Sequence, residues 1–295
     1  GPNGQLSYNQ RDESCMSSFP IPELSLSEKD LDFIVGQAAP NAQHSIHLKR
    51  LLREDQNFRK ALVGDDKVFE RVMDDEEIFL KISPTLYFEV LLRKANKQLE
   101  VATYTLERSG RKSIPVFDTH DVVKLLSEGE VLLYLAHMLA SFTRVHSYTT
   151  SVRIRKGIRR RERFNDMDID SLLRVSANVS EEQRFGFYKR IADVCLFITG
   201  IFADYAFFDY RYPGSSQVRR LTTARLRRSL EDYEENGKRY YALAERHPTA
   251  QLLDLSEVFA LLRQNFTSAR KPLSFIAAHY LHSQKHSLFL AQTQE

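Results

Sequence analysis

Apolar residues recur every three or four positions along most of this chain, the spacing of one helical face. The first such run is "SLSEKDLDFIVGQA". Ser27 precedes it as a cap, and Asp30 completes a carboxylate version of the capping box. "AQHSIHLKRLLREDQNFRKAL" places Ile46, Leu48, Leu51, Leu52, Phe58 and Leu62 near helical spacing. "DDKVFERVM" and "DDEEIFLKI" read as short helices whose leading acids suit a helix N-terminus.

The clearest element is "SPTLYFEVLLRKANKQLEVATYTLERSG". Ser83 caps it, Pro84 fits its first position and Gly110 ends it. At about 1.5 Å per residue, the pattern predicts a helix of about 40 Å. "RKSIPVFD" then reads as a linker. A helix capped by Thr119 follows, broken near Gly129. In "TSVRIRK", Val152 and Ile154 alternate with charge, the mark of a short extended arm near 149–157. Beyond a polar joint, Ser180 caps a long apolar helix reaching residue 209. Three more helical stretches complete the chain.

Strand alternation is not sustained anywhere, and Gly and Pro number only 11 and 9 in 295 residues, so long unbroken elements are expected. The predicted fold is all-α: a multi-helix bundle with core helices at 83–108, 128–146, 180–209 and 256–290. Residues 1–22 form a loose tail whose Gly1-Pro2 resembles a tag-cleavage remnant. Residues 23–295 form a single helical domain, with a sub-boundary near 149–179. The most apolar run, 191–208, carries Asp193 and Asp204 and reads as a buried core helix, not a membrane span. Its Asp193, Phe197, Gly200 and Asp204 share a face. The acids there require partners, for which an arginine from a basic stretch is expected. Gly200 marks a close approach by another helix or a ligand, so Asp193, Gly200 and Asp204 form a candidate pocket.

Composition changes this picture little; charge changes it more. The two cysteines, Cys15 and Cys195, make no disulfide framework, and the polar opening lacks the apolar centre of a signal peptide. A reducing, cytoplasmic setting is expected. The chain is only +3 overall, yet residues 144–163 carry eight basic residues against Glu162 alone. Residues 211–228 carry six arginines and no acid. Everything else is therefore net acidic. Arg153, Arg155, Lys156, Arg159, Arg160, Arg161 and Arg163, with Arg219, Arg220 and Arg225, are candidate phosphate contacts, because guanidinium forks pair well with phosphate. Phe164, Tyr210 and Tyr212 stand beside them as candidate base-stacking residues. The competing reading is pairing within the fold or between subunits, for which "NDMDID" supplies Asp166, Asp168 and Asp170 directly downstream.

His279, His282 and His286 fall at i, i+3 and i+7, one helical face able to share a transition metal. Glu130 and His137, seven apart, are a partial match to bundle metal sites, but the chain contains no Glu-x-x-His pair. Phosphate-cradling glycine loops, nucleophile elbows and zinc-protease helices are absent. The leading expectation is a non-enzymatic binding protein whose two arginine-rich segments hold a polyanion, nucleic acid first. One alternative is a metal- or small-ligand-binding bundle, enzyme or sensor. The other is an oligomeric scaffold or assembly subunit, with a protein partner or a second copy.

Overall fold

The computed structural model describes residues 24–109, 112–144, 147–203, 228–282 and 284–290, with backbone alone for 107–109, 112–113, 147–154, 159 and 162–164. The described residues are overwhelmingly helical, so the all-α class holds. They include two antiparallel two-stranded hairpins. The described residues divide into two compact units, one drawn from 22–144, 200–202 and 265–295, the other from 145–199 and 203–264.

In the first of these, α1 (Glu28–Ala38), α2 (Ser45–Glu54), α3 (Gln56–Val63), α4 (Asp66–Asp74) and α5 (Ile78–Lys81) lead into α6 (Pro84–Val101). Ser27 caps α1 through the expected box: its Oγ accepts from Asp30 N, and Asp30 Oδ2 accepts from Ser27 N. Asp30 also reaches the start of α6, accepting from Ser83 N at 2.7 Å and Ser83 Oγ at 2.8 Å. One buried carboxylate thus ties two helix N-termini together, and both dipoles favour a negative charge there.

The central helix is α6, packed by α4, α7 (Thr119–Ser127), α8 (Gly129–Ser141) and α14 (Phe266–Ile276). Its core face holds Leu86, Phe88, Leu91, Leu92 and Ala95, and also Glu89, which is fully buried. Arg59 grips Glu89 with two nitrogens, at 3.0 and 2.7 Å, and Arg93 Nε adds a bond of 2.9 Å. A buried carboxylate is tolerable only when its lone pairs are filled this way.

Here the expected single helix over 83–108 is corrected. Helix α6 ends at Val101, and Thr105–Ser109 pairs as β1 with β2 (Lys112–Val116), the segment expected to be a linker. Thr105 is β-branched and suits a strand, and a partner strand supplies backbone bonds that local helical spacing cannot foresee. The cap expected at Thr119 is also corrected: Thr119 is the first helical residue, and its hydroxyl donates to Ala102 O. The break near Gly129 does fall there, between α7 and α8.

In the second unit, β3 (Ser147–Arg155) and β4 (Ile158–Asn165) lead to α9 (Ile169–Ser176) and the long α10 (Glu181–Ile201). Then come α11 (Leu230–Arg246), α12 (Pro248–Leu252) and α13 (Ser256–Gln264). Helix α10 buries Ile191, Val194, Cys195, Leu196 and Phe197. Helices α11 and α13 pair, with Tyr241 stacked on Phe259 at 5.8 Å between ring centroids. His247 caps α12: its Nδ1 accepts from Thr249 N, which leaves Nε2–H to donate to Glu181 O at 2.9 Å. The last turn of α10 belongs to the first unit, as do α14 and α15 (Gln284–Leu290). Among the described residues, no helix is long and apolar enough to cross a membrane.

Candidate nucleic-acid interface

The basic stretch 144–163 becomes an arm. "SYTTSVRIR" is rich in β-branched residues and Tyr, which suit an extended backbone. Gly157 then turns the chain at φ +84°, a left-handed conformation that costs glycine little. The expected extended arm therefore continues past 157 and folds back as β4. Nine residues of β3 at about 3.3 Å each give a ribbon about 30 Å long. A bulge between Arg153 and Arg155 adds local twist near the tip. Below it, Arg153 sits opposite Arg159, Ser151 opposite Arg161 and Thr149 opposite Arg163. These positions share one face of the ribbon. Val152 opposite Arg160 and Thr150 opposite Glu162 occupy the other.

Arg155, Lys156, Arg160 and Arg161 are exposed. None of the four has an ion-pair or hydrogen-bond partner among the described residues. The acids that follow the arm face elsewhere. Asp166 is only 2% exposed and is held by Arg190, which donates to its carboxylate at 2.8 Å and to its carbonyl at 2.9 Å. Asp168, 7% exposed, accepts from Ser171 Oγ. Asp170 pairs with Arg228. Two of these three acids are thus paired with arginines outside the arm and the third with a serine hydroxyl, and among the described residues the exposed cations of the arm have no acid partner. Helix α9, which begins where the arm ends, is its principal packing neighbour.

The other sequence candidates fare differently. Arg228, the one described residue of the second basic stretch, is half-buried and serves the fold; Arg219, Arg220, Arg225, Asp204, Tyr210 and Tyr212 lie outside the described residues. The side chains of Arg153, Arg159, Arg163 and Phe164 lie outside them as well. Asp193, fully buried, accepts from Lys189 Nζ at 2.8 Å and from Tyr241 Oη at 2.8 Å. Lys189 is one turn away on the same helix. Gly200 does admit a neighbouring helix: a Cβ there would fall 2.6 Å from Leu273 Cβ on α14, and Ser274 Oγ donates to Gly200 O at 2.8 Å.

The expected histidine face does not form. Ala277–Leu281 is a π-helical turn, and His282 has φ +36°, so His279, His282 and His286 lose their common register. Pro272 inside α14 precedes this irregularity. His279 packs on the Phe275 ring at 4.1 Å, and His286 meets Phe202 edge-on at 5.7 Å. Burial lowers the pKa of both imidazoles, with His282 and Lys285 respectively adding to the effect. Glu130 is exposed while His137, on the same helix, is half-buried. No group of three His, Cys, Asp or Glu among the described residues is arranged to hold a metal ion. Burial pushes the Cys195 thiol up to about 12, so it carries no thiolate near neutrality.

The chain matches no family model, and neither a curated protein sequence nor a solved structure is significantly similar to it.

Proposed function

We propose that this protein binds nucleic acid through the β3–β4 arm, with Arg155, Lys156, Arg160 and Arg161 holding backbone phosphates. One observation carries the reading. Among the described residues the four exposed cations have no partner, while Asp166, Asp168 and Asp170, the acids that directly follow the arm, are engaged by Arg190, Ser171 and Arg228. The register adds support, because arginine positions directly opposite each other repel unless an anion lies between them. An arm of this kind is a two-stranded ribbon, a shape that the grooves of duplex nucleic acid admit. The reading assigns Arg153, Arg159 and Arg163 to the same contact, and it carries no catalytic step. A buried free thiol suits a reducing compartment, so we place the protein in the cytoplasm.

The test is titration of the purified protein against labelled single- and double-stranded DNA and RNA at several salt concentrations. Submicromolar binding that weakens with salt and is lost on Arg160→Glu with Arg161→Glu is the expected result. No binding at low salt would overturn the proposal.

A further inference from the structure

Ile158 is the one large apolar residue among the described side chains of the β3–β4 arm. It is 56% exposed, next to Gly157 at the tip, with Arg155 and Lys156 before it and Arg160 and Arg161 after it. A scattered surface isoleucine has no meaning by itself. This one crowns a cationic ribbon, where an apolar side chain meets whatever the cations hold.

Resting on the nucleic-acid reading of the arm, we propose that Ile158 is a wedge that enters a base step of duplex DNA while the flanking cations hold the phosphates on either side. Single strands offer splayed bases, which are bound by stacking on flat aromatic rings. A branched aliphatic side chain has no flat face to offer. In a duplex, aliphatic side chains are inserted between neighbouring base pairs, which unstacks them and kinks the axis. The rest of the tip suits that use. Gly157 has no side chain, so the backbone approaches the groove closely. Arg160 and Arg161 are consecutive strand residues, hence on opposite faces of the ribbon, and both are exposed, so they reach phosphates on both sides of the inserted tip. The bend brings further phosphates to the arm and offsets the cost of unstacking. DNA is favoured over RNA because pyrimidine–purine steps of DNA kink easily, whereas an RNA duplex is read by its shape and 2′-hydroxyls.

The experiment uses the full chain and end-labelled duplexes of about 30 base pairs, the length over which protein-induced bends are resolved. The duplexes carry at their centre a TA step, a GC step or a single mismatch. Wild type is expected to raise energy transfer between the ends, and to bind the mismatched duplex roughly tenfold tighter than the GC duplex because a mismatch is already partly unstacked. Ile158→Ala should keep the salt dependence and the melting temperature, lose the bend, and bind all three duplexes within about twofold, because it retains the phosphate contacts but not the wedge. A straight duplex under saturating wild type, or an Ile158→Ala variant that bends DNA as wild type does, overturns the wedge while leaving the arm's phosphate contacts standing. Tighter binding to single strands or to duplex RNA than to duplex DNA also overturns it. Failure to bind any nucleic acid at low salt instead removes the reading beneath it.

Discussion

Replacing Arg160 and Arg161 with alanine tests the phosphate contact through a quantity that folding defects do not imitate. Each cation that neutralises a phosphate of B-form DNA displaces counterions and adds about 0.9 to the slope of log affinity against log salt. Arg155, Lys156, Arg160 and Arg161 are exposed and unpartnered among the described residues, so together they contribute a slope of about −3.6. Raising salt fourfold then weakens binding about 150-fold in wild type. The double alanine variant keeps two of the four contacts and weakens only about twelvefold over the same range. Contributions from Arg153, Arg159 and Arg163 would steepen both slopes equally and leave their difference of about 1.8 unchanged. The side chains removed are exposed and make no described contact, so stability should shift by no more than about 0.5 kcal/mol. Fluorescence anisotropy on a labelled duplex across the salt series, with a thermal melt of each protein, gives both numbers. A variant that binds with the wild-type slope would refute the assignment, whatever its affinity.

Three further outcomes test the structural account. Glu89→Leu strands Arg59 and Arg93 in the interior and should cost about 3–5 kcal/mol in chemical denaturation; a loss below about 1 kcal/mol would mean that the buried pairing is not formed. Gly200→Ala forces a methyl against Leu273 Cβ and should cost about 1–3 kcal/mol in chemical denaturation, whereas an unchanged stability would exclude the close approach. In a Cys15→Ser background, Cys195 should resist thiol reagents at pH 8 until the protein unfolds. Its folded pKa lies above the ordinary value near 9, so its contribution to stability is intact below pH 9 and is lost as pH rises towards about 12. Cys195→Ala should flatten that alkaline decline, and an equally steep decline in the variant would count against the burial of the thiol.

Features stabilised within one or two turns were legible in the chain. Ser27 with Asp30, the Ser83 cap with Pro84, and the break near Gly129 all depend on residues a few positions apart, and each falls where its local chemistry puts it. The helical class followed for the same reason, because a periodic apolar face specifies its own backbone bonding. Strand pairing is different. Thr105–Ser109 left the helical pattern only because Lys112–Val116 supplies the opposing backbone, and the arm beyond residue 157 needed β3 beside it. The histidine spacing failed because a π turn and a left-handed His282 interrupt a helix that the residue pattern alone leaves continuous.

The candidate site divides along the same line. Clustered arginine was plain from composition, and so were the three acids beside it. Whether those acids neutralise the arginines depends on where the chain goes next. Asp166 is taken by Arg190, 24 positions further on, and Asp170 by Arg228, 58 positions away. Partners that distant meet only when α10 and the start of α11 pack beside the base of the arm, because the energy that brings them together is burial of apolar surface, which carries no information about sequence separation. Local spacing set the charge down in one place; packing gave the acids beside it other partners.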